Sequence, residues 1–80
     1  MRDRRLGQFS IPFELIDEAP DVARAVVHGV IVVRAEAMFA TGRIAYVGIS
    51  DAFDPVETGA VPPTYEAVVE GKTREWRKVQ

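Results

Sequence analysis

Residues 30–50, Val30-Ile-Val-Val-Arg-Ala-Glu-Ala-Met-Phe-Ala40-Thr-Gly42-Arg-Ile-Ala-Tyr-Val-Gly-Ile-Ser50, decide the fold. β-branched and aromatic side chains lose rotamer freedom in helices but pack well on a pleated surface. Thr41-Gly42 interrupts them where a tight hairpin loop needs a permissive residue. The stretch predicts two antiparallel strands, Val30 to Ala40 and Arg43 to Ser50. With a two-residue loop, Ala40 lies opposite Arg43, Phe39 opposite Ile44, Ala37 opposite Tyr46 and Ala35 opposite Gly48. One face then carries Val33, Ala35, Ala37, Phe39, Ile44, Tyr46 and Gly48, with small residues in its middle where a helix can approach. The other carries Val32, Arg34, Glu36, Met38, Ala45, Val47 and Ile49. A three-residue loop would exchange the partners, because strand side chains alternate with a period of two.

Upstream, Pro20 opens a short helix, since its fixed φ suits the first turn and its missing amide is not needed there. Asp17, Glu18 and Asp21 place negative charge at the positive end of the helix dipole. Val22, Ala25 and Val26 form its inner stripe, Arg24 faces out, and Gly29 ends it. Phe9, Ile11, Phe13 and Leu15 alternate with polar residues or proline, but Pro12 lacks the amide of a central strand. Residues 9–16 are therefore expected as an extended or irregular segment tucking Phe9 and Phe13 against the core, with an extra N-terminal strand as the alternative. Residues 1–8 are expected to be a flexible terminus.

Downstream, Pro55, Gly59, Pro62 and Pro63 make residues 51–63 a long loop, pinned by Phe53, Val56 and Val61. Thr64–Glu70 and Thr73–Val79 then form a second hairpin around Gly71-Lys72. Glu66 pairs with Arg77 and Trp76 lies beside Ala67, so Tyr65, Ala67, Val69 and Trp76 share a face. The expected fold is α+β in one domain, residues 1–80: a mostly antiparallel four-stranded sheet made of two hairpins, with one short helix packed on one face.

Composition narrows the function. Of 80 residues, 48% are hydrophobic and 28% charged, the balance of a folding chain. No apolar run approaches the ~20 residues of a membrane span. The absence of cysteine removes disulfides, thiolate metal sites and thiol nucleophiles, and makes a cytoplasmic setting the expectation. The net charge of −2 hides an asymmetry: residues 1–5 carry net +2, residues 71–80 net +3, and the body between them net −7.

No catalytic constellation can be assembled. His28, the sole histidine, falls at a helix end and reads as structural. Ser10 and Ser50 lie outside any Gly-x-Ser-x-Gly elbow. Asp51, Asp54 and Glu57 recur at every third residue, unlike a calcium loop, and read as a solvated acidic turn. Gly71-Lys72-Thr73 lacks the upstream glycine of a phosphate-binding loop. The expectation is a non-enzyme without cofactor or metal. Arg74, Trp76 and Lys78 on one strand face, with Tyr65 adjacent, carry the chemistry that binds single-stranded nucleic acid. An acidic body repels phosphate backbones and argues against that partner.

What remains is a surplus of apolar positions. One short helix covers one face of a four-stranded sheet, which leaves the face of Val32, Arg34, Glu36, Met38, Val47 and Ile49 as an interface candidate; Arg74, Trp76 and Lys78 are further candidates. An unstapled chain of this size is marginally stable alone, so a homo-oligomer, most simply a dimer, is expected. The alternative is an oligomeric binder of a nucleotide second messenger, with Arg34, Arg43, Arg74, Arg77 and Lys78 meeting phosphate and Trp76 or Tyr65 stacking a base.

The runs Val-Val-Arg-Ala-Glu-Ala-Met-Phe (32–39), Ile-Ala-Tyr-Val-Gly-Ile-Ser-Asp-Ala-Phe-Asp-Pro-Val (44–56) and Val-Pro-Pro-Thr-Tyr (61–65) resemble a pattern in small uncharacterised proteins of bacteriophages and prophages. The resemblance spans residues 20–80 and carries no catalytic residues. It implies an inhibitor of bacterial defence, such as an anti-CRISPR protein, or a sequesterer of nucleotide signals. The implied partner is a host protein complex and the implied location the host cytoplasm.

Overall fold

The computed structural model describes residues 4–57, 59–70 and 73–79. The chain runs β1 (Arg4–Pro12), α1 (Phe13–Glu18), α2 (Pro20–Val27), β2 (Ile31–Met38), β3 (Arg43–Ile49), β4 (Pro55–Val56), β5 (Tyr65–Glu70) and β6 (Thr73–Lys78). The class is α+β with an antiparallel four-stranded sheet, as the sequence predicts, but that sheet is not two hairpins side by side. Its order is β2-β3-β1-β4, and β5 and β6 form a separate two-stranded sheet.

The difference begins with β1. Residues 4–8 are not a loose terminus: Arg4 and Arg5 pair with Val56 and Pro55, and the ladder to β3 runs from Leu6↔Ile49 to Pro12↔Arg43. The period-two pattern supplies the reason. Phe9 and Ile11 are buried, while Gln8 and Ser10 point to the other face. Pro12 is compatible because it is the last residue of the strand, where its missing amide ends the ladder. Beyond it, adjacent Leu15 and Ile16 both pack on the core. Consecutive residues can share a face on a helix but not on a strand, so the expected extended segment becomes α1.

Pro20 occupies the first turn of α2, with Asp21 beside it, and Gly29 follows the helix at φ 76°. The inner stripe is Ala23, Val26 and Val27, not Val22, Ala25 and Val26. The hairpin loop of β2–β3 spans residues 39–42, so Met38 lies opposite Arg43, Ala37 opposite Ile44 and Ala35 opposite Tyr46. This is two residues away from the expected register. A shift of two preserves the faces, as a shift of one would not. At Val33 the register slips by a bulge. The extra residue brings Val32 to the core side opposite Gly48 and Ile31 to the outer side opposite Ile49.

The β5–β6 register is the predicted one, with Glu66 opposite Arg77 and Ala67 opposite Trp76; its expected turn at Gly71-Lys72 lies outside the described residues. This hairpin does not extend the four-stranded sheet, and β4 occupies the other edge of β1 only at Arg4 and Arg5. A single parallel bridge, Gln8↔Thr64, ties it to β1. It then turns its apolar face onto the side of the sheet that the helices also cover. The core is largely aromatic there. Phe53, with 0% exposure, lies 4.6 Å from Tyr65 and 5.1 Å from Trp76 by ring centroids. Phe9 lies 5.2 Å from Tyr46 and 5.0 Å from Trp76. Gly7 permits this packing, because a Cβ on it would stand 2.7 Å from the Tyr65 ring.

Candidate functional site

α1, α2 and the β5–β6 hairpin all cover the face of the sheet that carries Phe9, Ile11 and Tyr46. The ladder registers build the other face as four rows across β2, β3 and β1: Ile31–Ile49–Leu6, Arg34–Val47–Gln8, Glu36–Ala45–Ser10 and Met38–Arg43–Pro12. None of these residues belongs to the core cluster. The face is apolar at one end, with Arg34 and Glu36 in its middle. Arg34 Nη2 donates to Glu36 Oε2 at 3.4 Å, and Arg43 Nε donates to Ser10 Oγ at 2.7 Å.

Of the interface candidates read from sequence, Arg34, Glu36, Met38, Val47 and Ile49 share this face. Val32 does not, because the bulge at Val33 reverses it. Leu6, Gln8 and Ser10 also belong to the face, which the sequence reading does not include. Their alternation with Gly7, Phe9 and Ile11 is the strand signal, and Pro12 obscures it.

The remaining candidates lie on the opposite side of the sheet. Arg74 Nη1 donates to the carbonyls of Ala25 at 3.1 Å, Val26 at 3.0 Å and also His28. It closes the carboxyl end of α2, where a cation also meets the negative pole of the helix dipole. The guanidinium lies 5.1 Å from the centre of the Trp76 ring. Trp76 packs on Phe9 and Phe53. Lys78 Nζ donates to Asp54 Oδ2 at 2.9 Å. That hydrogen bond, and secondarily the Asp54 charge, raise the Lys78 ammonium above its ordinary value. Within one chain, four of the five cations of the nucleotide reading therefore do not converge. Arg34 and Arg43 lie on the outer face, Arg74 and Lys78 are engaged as described, and Tyr65 stacks on Phe53.

The long loop is held by more than side-chain burial. Arg5 Nη1 donates to the Phe53 carbonyl at 3.0 Å, Gln8 Nε2 to Pro62 O at 2.7 Å, and Asp54 N to the Tyr65 hydroxyl at 2.8 Å. Phe53 and Val56 are buried, but Val61 is 81% exposed and pins nothing. Two open grooves flank the β1–β5 junction. One, of about 490 Å³, is lined by Phe9, Ile11, Tyr46 and Tyr65; the other, of about 650 Å³, lies under the loop beside Gln8, Asp54 and Lys78. No group of three or more His, Asp or Glu side chains suited to a metal ion occurs among the described residues. No helix among them is long and apolar enough to cross a membrane.

The most exposed regular element is β2. Every one of its residues is exposed, on both faces of the sheet, including Ile31 at 67% and Val33 at 54%. It is an edge strand, and Phe39 just beyond it is 83% exposed. Comparison with protein-family models, with curated proteins and with solved structures finds no match.

Proposed function

We propose that this chain is a non-enzymatic protein-binding module and that the outer face of its four-stranded sheet is the docking surface. One observation carries the reading: both helices and the second hairpin lie on the same side, leaving a three-strand-wide face open. Contiguous exposed apolar surface rimmed by polar groups is the usual mark of a protein interface. Here Ile31, Ile49, Leu6 and Val47 supply apolar area, and Arg34, Glu36 and Ser10 supply directional partners. The resemblance to phage proteins directs the choice of partner to a bacterial host complex, met in the host cytoplasm and inhibited by occupancy.

The test is affinity purification of the tagged chain from bacterial lysate, beside a Val47→Lys variant. Val47 is half-buried on the outer face, so lysine there alters the surface without entering the core. A defined complex retained by the parent chain and lost by the variant, at equal thermal stability, supports the reading. Retention of no complex, or of the same one by both proteins, overturns it.

A further inference from the structure

We infer that β2 is a self-pairing edge: two copies of the chain join antiparallel through it, about a two-fold axis at Ala35, into one continuous eight-stranded sheet. This goes beyond the docking face, since it concerns the strand's edge and a second copy. It stands on a different observation.

An edge strand presents unpaired amides and carbonyls, and monomeric proteins blunt such edges with proline, short length, charge or a bulge. The β4 edge follows that rule, being two residues long with Pro55 in it. β2 is interrupted only by the bulge at Val33. It has eight residues, no proline and every residue exposed, and it is flanked by apolar Val30 and Phe39. Its only charges, Arg34 and Glu36, are of opposite sign and lie on the same face, as their 3.4 Å contact requires.

That spacing specifies a register. Antiparallel pairing of one strand with its own copy puts the two-fold axis normal to the sheet, so one residue lies opposite itself. Centring on Arg34 or on Glu36 sets like charges face to face, which is destabilising. Centring on Ala37 sets Glu36 opposite Met38, and centring on Val33 puts the axis in the bulge. Only Ala35 places Arg34 of each copy opposite Glu36 of the other, twice. The same register brings the apolar Ile31–Val33 end of each strand against the Met38–Phe39 end of its partner. This two-fold self-complementarity is what an isologous interface requires.

The chain has no cysteine, so single-cysteine variants report on self-pairing alone. In the proposed register the two Ala35 Cα atoms stand about 4.5–5.5 Å apart, within disulfide reach. The two Ala37 positions lie four residues apart along the ladder, about 14 Å. Under mild oxidation Ala35→Cys forms a covalent dimer and Ala37→Cys remains monomeric on a denaturing gel. In light scattering the parent chain has twice the 8.9 kDa chain mass. Arg34→Glu weakens dimerisation on the order of tenfold or more, and Arg34→Glu with Glu36→Arg restores it. A monomeric mass at several hundred micromolar, equal crosslinking of the two cysteine variants, or no recovery in the double variant overturns the inference. Leu6→Glu, on β1 two strands away from β2, separates the two proposals: it abolishes host-complex capture under the docking reading and leaves the dimer intact.

Discussion

Arg74 on β6 donates to the Val26 carbonyl at 3.0 Å, so the second hairpin completes the end of the second helix. The helix has no basic residue of its own beyond Arg24, whose side chain turns back to Asp21 at 3.1 Å on the surface. A solvated pair of that kind contributes little, whereas the Arg74 guanidinium satisfies carbonyls that α2 leaves without intrahelical partners. Arg74→Ala should therefore destabilise the fold by about 1–3 kcal/mol, the range for hydrogen bonds to charged groups and the acceptors they abandon. Arg74→Lys should recover only part, since an ammonium keeps the charge but loses the planar fork and its stacking on Trp76. Urea unfolding followed by Trp76 fluorescence measures both.

Gly7 and Gly29 should respond differently to alanine. A Cβ on Gly7 meets Tyr65 at 2.7 and 2.8 Å and Phe53 at 2.9 Å. These rings are buried and stacked on each other, so neither can give way cheaply. Gly7→Ala should cost about 1–3 kcal/mol, the range for overpacking, and should disturb the near-UV dichroism of the cluster. Gly29 has nothing within 4 Å but sits at φ 76°. Its alanine variant should cost about 1 kcal/mol through backbone strain alone, with the aromatic signal unchanged.

Local chemistry made parts of this fold readable and long-range pairing hid others. The hairpins could be read because Gly42 and the β-branched runs act over neighbouring residues, and the 65–78 register follows from counting outward from the expected turn at Gly71-Lys72. The helix start could be read because Pro20 suits only a first turn. The place of β1 could not, because its partners are Arg43–Ile49 and Pro55–Val56, tens of residues away. The role of Arg74 was likewise hidden: a cation beside a tryptophan looks the same in sequence whether it awaits a phosphate or closes a helix. The outer face was half visible, through Arg34, Glu36 and Val47, and its other half arrives only with β1.

Phe53 should prove the most costly residue to truncate. It has 0% exposure, comes from the loop and touches Phe9, Tyr65 and Trp76. Phe53→Ala should lose about 3–5 kcal/mol. A chain of this length holds roughly 4–12 kcal/mol in total, so much of the population should unfold. Phe53→Leu, which keeps most of the volume, should retain the fold with a lower unfolding midpoint. Calorimetry of the two variants distinguishes a cavity cost from a general intolerance of change.

The Lys78–Asp54 pair should appear in the alkaline limb of the stability curve. Its hydrogen bond to Asp54 holds Lys78 protonated above the ordinary 10.5. A group whose folded value is raised contributes fully below its unfolded value and loses that contribution as pH climbs through the folded one. Stability should accordingly be flat with respect to this pair up to about pH 10 and fall beyond it. Asp54→Asn removes the charge that raises Lys78, so this variant should be less stable than the parent at neutral pH, and the gap should narrow above pH 10.5. Because the pair is solvent-exposed, the gap should also shrink in high salt. Parallel urea titrations of both proteins between pH 7 and 11.5 make the comparison; a constant gap across that range would show that Asp54 acts through the loop backbone and not through Lys78.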